Sequence, residues 1–148
     1  MEAILFIGIQ ASGKTSFYKE KFLKTHLRIS LDLLKTRNKE QQFLQLCFHT
    51  GQKFVVDNTN PTLAERSKYI AAAKAVKFKI IGYYFKADIN EAIRRNGARH
   101  GKEAIAVIGL RATNKKLQPP TMQEGFDELF EVQLIDRGFE VRPLIQNY

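Results

Sequence analysis

Apolar residues along the chain fall into short runs, separated by longer stretches in which apolar and polar positions follow a helical period. The short runs predict five buried strands, at residues 3–8, 27–30, 54–57, 78–85 and 130–135. The longer stretches predict helices at residues 14–24, 32–50, 61–76 and 88–96. Strands that are apolar on both faces and alternate with helices are typical of a parallel sheet covered by helices on both sides. The pattern therefore predicts an α/β fold.

Proline and turn residues refine this picture. Pro61 fits the first turn of the third helix, where the N–H group that proline lacks has no helical partner. Residues 101–116 are predicted to form a basic helix, which Pro119 and Pro120 terminate. The tail is predicted to contain a hairpin that turns at residues 136–138. No repeat or linker interrupts the sequence, so we expect one domain over residues 1–148.

Composition narrows the class of protein. The chain has 148 residues, 44% of them hydrophobic, and its single cysteine, Cys47, excludes an internal disulfide. The apolar run at residues 4–9 is far shorter than the ~20 residues needed to cross a bilayer. We therefore expect a soluble protein that makes no membrane contact and is located in the cytoplasm or elsewhere inside the cell.

The net charge is positive and unevenly distributed. Twenty-four lysines and arginines oppose 15 acids, which gives a net charge of +9. Residues 94–116 contain seven of these cations and a single acid, Glu103. Such a concentration suits a polyanionic partner such as nucleic acid. A Lys/Arg-rich helix face in contact with solvent accounts for the same charge, so both interpretations stay open.

The clearest chemical motif lies directly after the first strand. Residues 8–15 match the GxxxxGK[ST] phosphate-binding pattern, with a strand before it and an amphipathic helix after it. Gly8 lets the chain leave the strand sharply, and Gly13 lets backbone N–H groups approach phosphate oxygens. Lys14 is expected to contact the β- and γ-phosphates, and the Thr15 hydroxyl to bind Mg²⁺. The residues predicted to bind the nucleoside triphosphate are Gly8, Gln10, Ala11, Ser12, Gly13, Lys14, Thr15 and Ser16.

Two acids follow predicted strands. Asp57 ends the third strand beside the loop, where it is expected to support Mg²⁺; the alternative is that it caps the next helix. Asp32 follows the second strand, at the sheet edge that faces the ligand crevice, and a carboxylate there suits a general base for an acceptor. Asp32 also suits the N-cap of the helix predicted at residues 32–50, and the two roles are compatible.

Other P-loop classes have less support. Regulatory GTPases need a glycine three residues after the acid, where this chain has Asn60, and an Asn-Lys-x-Asp stretch that here ends in Leu117. Motor-type ATPases need larger domains. A small kinase remains, with a lid at about residues 88–117 that covers the donor phosphates. Arg95 and Arg99, four residues apart, are predicted to neutralise the transferring phosphoryl group from one helix face; a solvated pair is the alternative.

Five stretches of the chain resemble the P-loop polynucleotide 5′-hydroxyl kinases. They are residues 8–15, the strand end 29–32, residues 56–61 together with Arg66, residues 95–99 and residues 120–126. The phosphate loop is common to many families, whereas the Asp-Asn-Thr-Asn-Pro and Pro-Thr-x-x-Glu-Gly-Phe stretches are far more particular to this one. The resemblance covers nearly the whole chain and implies a P-loop NTPase-type sheet with a basic helical lid.

The resemblance also implies an activity, the Mg²⁺-dependent transfer of the ATP γ-phosphate to a 5′-OH end of DNA or RNA. It implies that Asp32 is the general base for the 5′-OH, that Lys14 and Thr15 hold donor phosphates and metal, and that Asp57 supports the metal through water. Arg99 would contact the transferred phosphate, with Arg95 as a nearby lid contact.

Two positions depart from the family pattern. Leu31 stands where many members have arginine, and Lys35 stands where some have an arginine that grips an acceptor phosphate. An ammonium cannot make the two-pronged contact of a guanidinium. Two other functions stay open at this point: a P-loop kinase for a sugar, nucleotide or other metabolite, and a nucleotide-binding domain without transfer.

Overall fold

The computed structural model describes residues 1–97 and 107–144. The strands in that part are β1 (Glu2–Ile7), β2 (Leu27–Ile29), β3 (Phe54–Val56), β4 (Lys79–Phe85), β5 (Glu128–Ile135) and β6 (Gly138–Pro143). The α-helices are α1 (Lys14–Lys21), α2 (Leu31–Leu34), α3 (Arg37–Thr50), α4 (Leu63–Ala75), α5 (Ile89–Gly97) and α6 (Val107–Lys116). A 3₁₀ turn, Met122–Glu124, precedes β5.

The strands form a six-stranded sheet in the order β2-β3-β1-β4-β5-β6. The first five strands in this order pair with their neighbours in parallel. Strand β6 pairs with β5 in an antiparallel hairpin, which contains the predicted turn. The predicted parallel sheet and terminal hairpin are therefore both confirmed. None of the helices in the two described ranges is long and apolar enough to cross a membrane.

Helices cover both faces of the sheet, as the apolar strands predict. Because side chains alternate along a strand, Leu5 of β1 packs with Leu44 of α3 and Ile70 of α4 on one face. Phe6 faces the other way and packs with Phe17 of α1. The ring centroids of Phe6 and Phe17 are 5.8 Å apart, in a tilted arrangement typical of buried aromatic pairs. These two apolar layers fix the sheet between its helices.

One predicted helix is two helices in the structure. The helix predicted at residues 32–50 is interrupted at Lys35, whose φ of 74° is incompatible with a continuous α-helix. A second helix then starts at Arg37, where the Thr36 hydroxyl accepts a hydrogen bond from Lys39 N at 3.1 Å and caps the first turn. Asp32 therefore lies on a helix of only four residues, separate from α3.

The start of α4 also differs from the prediction. Pro61 lies outside the helix, which begins at Leu63. Thr62 is the N-cap, and its hydroxyl accepts a hydrogen bond from Glu65 N at 3.2 Å. A threonine with a glutamate three residues later is the signature of a capping box, which outweighs the compatibility of proline with a first helical turn.

The carboxyl ends of four parallel strands meet at one edge of the sheet. In spatial order, α2 follows β2, Asp57 follows β3, the phosphate loop follows β1 and α5 follows β4. In an open α/β sheet this edge is where ligands bind. The fold thus places the phosphate loop between Asp57 on one side and α5 on the other.

Candidate active site

The phosphate loop ends in a left-handed residue at the start of α1. Gly13 is the N-cap of α1 with a φ of 97°, and no side chain caps this helix. The N–H groups of the first turn are therefore not used by a capping side chain, and they carry the positive end of the helix dipole. Ala11 also has a positive φ, 60°, inside the loop. This backbone is suited to binding phosphate oxygens.

Gly8 is required for space rather than for an unusual φ. A Cβ at this position would lie 2.9 Å from the Phe85 Cβ of the neighbouring strand. Its N–H group donates to the Thr59 carbonyl at 3.0 Å, which ties the start of the loop to the residues after β3. The sequence correctly predicts a glycine-dependent loop, but the reason at Gly8 is the close approach of β4.

Lys14 lies folded over the loop. Its ammonium donates to the carbonyl oxygens of Gly8 at 2.9 Å and Ile9 at 2.7 Å, and the residue is only 8% exposed. The Ser12 hydroxyl is 3.5 Å from the same nitrogen, whereas Ser16 lies exposed in the first turn of α1. A positive charge is thus held at the centre of the loop, where phosphate oxygens would be bound.

The structure brings Thr15 and Asp57 together. The Thr15 hydroxyl donates to Asp57 Oδ2 at 3.0 Å, and Asp57 is buried. A hydroxyl and a carboxylate are the hard oxygen ligands that Mg²⁺ prefers, usually together with substrate phosphates and water, so this pair fits the ion. Because Thr62 caps α4, Asp57 does not serve as the cap of that helix.

Arg28 also contacts this pair, although it is not among the site residues predicted from the sequence. Its Nε donates to Asp57 Oδ2 at 2.8 Å, and one Nη lies 3.3 Å from the Thr15 hydroxyl. The guanidinium therefore balances the charge of the buried Asp57 carboxylate. The available signal was an arginine inside an otherwise apolar strand, since a charged side chain within β2 needs a partner.

Asp32 lies exposed in the first turn of α2. The N-cap position belongs to Ser30, so the predicted capping role of Asp32 is wrong. Among the described residues Asp32 has no hydrogen-bond or ion-pair partner, which leaves its carboxylate open to solvent at the sheet edge. Lys35, the other acceptor-side position singled out in the sequence, forms the exposed left-handed joint between α2 and α3.

A buried carboxylate lies behind α2. Glu40 of α3 is 4% exposed and accepts hydrogen bonds from the Tyr69 hydroxyl at 2.7 Å, from Arg37 Nη1 at 3.1 Å and from Asn58 Nδ2 at 3.0 Å. Burial raises the pKa of the Tyr69 hydroxyl, and the hydrogen bond to Glu40 and its negative charge raise it further, so Tyr69 remains a donor. We call these four residues the Glu40 network. No pattern in the sequence indicates this network.

The residues after β3 fasten several parts of the site to one another. Asn58 Oδ1 accepts from Leu31 N at 2.9 Å, and Asn60 Nδ2 donates to the Phe6 carbonyl at 2.8 Å. Asn60 has a φ of 44°, a conformation that asparagine tolerates better than most residues. The Asp-Asn-Thr-Asn stretch therefore links the phosphate loop, β1 and α2 by side-chain and backbone contacts.

A buried ion pair joins two of the stretches that carry the family resemblance. Arg66 is fully buried, and its Nε and Nη2 donate to the two carboxylate oxygens of Glu124 at 2.7 and 3.1 Å. Its Nη1 donates to the Asn60 carbonyl at 3.0 Å. This two-pronged pair holds the 3₁₀ turn against the residues that follow β3.

Helices α5 and α6, which lie in the segment predicted to be a lid, contact the phosphate loop directly. Arg95 Nε donates to the Ala11 carbonyl at 2.7 Å, and Gln10 Nε2 donates to the Thr113 hydroxyl of α6 at 3.1 Å. Ile9 and Ala11 of the loop form an apolar cluster with Ala92 of α5 and Leu110 of α6. Of the two predicted lid arginines, Arg95 thus reaches the loop, whereas Arg99 lies outside the described residues.

The described part of the basic lid presents several cations to solvent. Arg94 is 78% exposed and lies 3.8 Å from Glu91, and Arg111 and Lys115 are exposed on α6. Lys116 pairs with Glu65 of α4 at 3.0 Å. Most of these cations are therefore accessible to an anionic partner.

Comparison with known proteins confirms the resemblance to the polynucleotide kinases. The chain is 26% identical over 135 residues to a bifunctional polynucleotide phosphatase/kinase of Schizosaccharomyces pombe, covering 88% of this chain and 33% of that protein. It is 27% identical over 135 residues to a protein of Acanthamoeba polyphaga mimivirus whose name carries the same two activities, covering 86% and 32%. The chain thus spans about a third of the length of these curated relatives. No family model matches the chain.

Solved structures confirm the P-loop NTPase fold. Chaetomium thermophilum Kti12 in complex with ADP-AlF3 superposes with a TM-score of 0.64 at 15% identity, over 90% of each chain. A gluconokinase from Sinorhizobium meliloti 1021 gives a TM-score of 0.62 at 16% identity, over 89% of this chain and 82% of that one. At such identities the likeness concerns the fold alone.

Proposed function

We propose that this protein is an ATP-dependent kinase that transfers the γ-phosphate to the 5′-OH end of DNA or RNA. The observation that carries the proposal is the arrangement of one sheet edge, where an exposed acid, Asp32, follows the strand next to that of Asp57, and the phosphate loop follows the strand beyond. The likeness to polynucleotide phosphatase/kinases over 86–88% of the chain supports it.

On the donor side, the loop and α1 supply the contacts for the triphosphate. Backbone N–H groups around Gly13 bind phosphate oxygens, and Lys14 exchanges its carbonyl contacts for charge-assisted contacts to phosphate. Thr15 and Asp57 would hold Mg²⁺, while Arg28 balances the charge of the Asp57 carboxylate. A bound Mg²⁺ neutralises charge on the donor phosphates.

On the acceptor side, Asp32 accepts the proton of the 5′-OH. The freed oxygen forms a bond to the γ-phosphorus, and the bond between that phosphorus and the bridging oxygen of ADP breaks, so ADP leaves with the electron pair. A general base of this kind contributes typically ~10²–10⁴ in rate. Arg95, which lies on the loop, and Arg99 supply positive charge to the transferring group.

The exposed lid cations suit a polynucleotide rather than a small neutral acceptor. Arg94, Arg111 and Lys115 lie on the helices that border the loop. A strand whose 5′ end enters at Asp32 would bring further phosphates near these side chains. Binding through such contacts weakens steeply as salt displaces the protein from the phosphates.

The test is phosphoryl transfer from labelled ATP with Mg²⁺ to single-stranded DNA, RNA, a nucleoside 3′-phosphate and gluconate. We expect 5′-phosphorylated oligonucleotide, with a rate that falls steeply between low and moderate salt. Asp32→Asn should retain ADP affinity and lower transfer by ~10²–10⁴. Asp136→Asn, an exposed acid in the β5–β6 turn, is the matched control and should behave as wild type.

Each other outcome points to a different function. Transfer to gluconate or another metabolite without transfer to oligonucleotides would identify a small-molecule kinase. ADP binding without a phosphorylated product on any acceptor would indicate a nucleotide-binding domain. Normal transfer by Asp32→Asn would remove Asp32 from the mechanism.

A further inference from the structure

The helix that carries Asp32 lacks a cap of its own. Ser30 occupies the N-cap position of α2, yet its side chain makes no capping hydrogen bond. Its hydroxyl oxygen is buried without a partner among the described residues. The backbone hydrogen bonds of α2 run from Leu34 N to the Ser30 carbonyl and from Lys35 N to the Leu31 carbonyl, both at 2.8 Å. So short a helix is marginal without tertiary contacts, and its first N–H groups have no partner within it. The orientation of α2 must therefore come from contacts outside it.

Asn58 supplies such a contact. Its Oδ1 accepts a hydrogen bond from Leu31 N, the first N–H of α2, at 2.9 Å. Its Nδ2 donates to Glu40 Oε2 at 3.0 Å. Because a backbone N–H needs an acceptor and an ionised carboxylate needs a donor, the two contacts allow only one orientation of the Asn58 amide.

Glu40 is itself held in place. Tyr69 of α4 and Arg37 of α3 donate to its carboxylate, so two long helices determine where its oxygens lie. Glu40 is also in the first turn of α3, where a negative charge is favoured by the helix dipole. The Glu40 network therefore transmits the position of packed helices to a helix that has no fully buried residue and packs on the core through the partly buried Leu34.

We infer that Asn58 is a positioning residue for phosphoryl transfer: oriented by Glu40, it holds the N-terminus of α2 and thereby sets where Asp32 meets the acceptor oxygen. The inference rests on the proposed function. It assigns Asn58 no contact with ATP or metal. A displacement of about 1 Å in a reacting group can cost ~10²-fold in rate, so a single hydrogen bond in this place matters for turnover.

The experiment combines kinetics with amide hydrogen exchange at Leu31. In Asn58→Ala the Leu31 amide loses its acceptor, so we expect at least ~10-fold faster exchange. We expect kcat for the oligonucleotide to fall by ~10–100-fold while the KM for ATP stays within about two-fold. Asn38→Ala, an exposed asparagine in the first turn of α3, is the matched control and should change neither quantity.

A double variant that exchanges the amide and the carboxylate between positions 58 and 40 distinguishes a positioning role of Asn58 from a general loss of stability. Asn58→Asp alone places two carboxylates about 3 Å apart and should impair both readouts more than Asn58→Ala. Adding Glu40→Gln restores a donor to face Asp at position 58, while the amide oxygen of Gln still accepts from Tyr69. We expect the double variant to regain both Leu31 protection and much of kcat.

The failures of the two proposals are distinguishable. If Asn58→Ala leaves Leu31 protected, or removes the protection without lowering kcat, the positioning role is overturned and the kinase function stands. If wild type phosphorylates no 5′-OH acceptor, the proposed function is overturned and the role of Asn58 in transfer falls with it. A double variant no better than Asn58→Asp alone also overturns the pairing with Glu40.

Discussion

The phosphate loop takes its main features from eight consecutive residues, whereas the helix of Asp32 is held by side chains spread between positions 37 and 69. On the donor side, Lys14 bonds carbonyls only five and six residues away. On the acceptor side, Leu31 bonds to Asn58, and Asn58 bonds to Glu40. The fold of Lys14 over its own loop is thus a local structure, whereas the position of α2 depends on tertiary contacts.

This difference has a consequence for how each side fails. Damage to the loop should weaken nucleotide binding and leave α2 unchanged. Substitutions in the Glu40 network should leave the affinity for nucleotide unchanged and displace Asp32. The residues after β3 are common to both sides, because Thr59 accepts from Gly8 N while Asn58 holds Leu31.

The largest effect is expected from Arg66→Ala, which should disturb both the phosphate loop and α2. It leaves the Glu124 carboxylate, 4% exposed, without its two-pronged partner and removes the donor to the Asn60 carbonyl. Loss of one partner of a buried pair typically costs ~3–5 kcal/mol. We expect that loss in the free energy of unfolding by urea denaturation, with both ADP affinity and Leu31 protection reduced.

Lys79→Ala provides the control for Arg66→Ala. It breaks an ion pair with Glu128 at 2.9 Å in which both side chains are about half exposed. Exposed pairs contribute little, so the urea midpoint should hardly change. If Arg66→Ala proves as mild as Lys79→Ala, the buried pair does not support the shared residues.

A smaller effect, confined to the donor side, is expected from Gly13→Ala. The φ of 97° costs a residue with a Cβ about 1–2 kcal/mol, and that Cβ would meet the Phe139 ring at 3.0 Å. ADP affinity measured by calorimetry should fall about tenfold or more as the loop shifts, while Leu31 exchange stays at the wild-type rate. Gly109→Ala, in α6 with no atom within 4 Å of the added Cβ, should bind ADP normally.

The smallest effect is a pH dependence of the free energy of unfolding that arises from Cys47 of α3, the helix that also carries Glu40. Burial raises the pKa of the Cys47 thiol from 9.0 to about 11. The unfolded chain therefore releases this proton first as the pH rises, so the free energy of unfolding should fall above pH 9, by roughly 1 kcal/mol at pH 10. Subtracting the pH profile of Cys47→Ala isolates this loss.

The same profile tests whether α3 stays packed when its first turn is disturbed. If Asn58→Ala keeps the Cys47-dependent loss of stability above pH 9, then α3 remains buried around Cys47 and only α2 has been released. Disappearance of that dependence would mean that the acceptor side unfolds as one unit and would contradict a local role for Asn58.

Sequence patterns predicted the fold and the position of the phosphate loop because both depend on local rules. Apolar runs located the strands, and the glycine and lysine spacing located the loop with Thr15. The start of α4 was also predictable in principle, from Thr62 and Glu65. The compatibility of Pro61 with a first helical turn led instead to a predicted start two residues too early.

The acceptor side was not predictable in the same way. Lys35, which separates α2 from α3, has a positive φ although it is neither a glycine nor an asparagine, so its residue type does not predict the break. Glu40 resembles any polar residue of an amphipathic helix, and only the tertiary packing of α4 buries it beside Tyr69. Arg28 likewise acquires its partners, Asp57 and Thr15, from strand order, which pattern alone does not give.

Asp57 and Asn58 are adjacent in the chain, yet Asp57 contacts Thr15 beside the phosphate loop and Asn58 contacts Leu31 of α2. Consecutive Cα atoms are ~3.8 Å apart, a distance fixed by covalent bonds. The Thr15–Asp57 contact and the Asn58–Leu31 contact therefore start from backbone positions whose separation the motion of the surrounding helices cannot change. Inserting even one residue between Asp57 and Asn58 would shift these two contacts relative to each other.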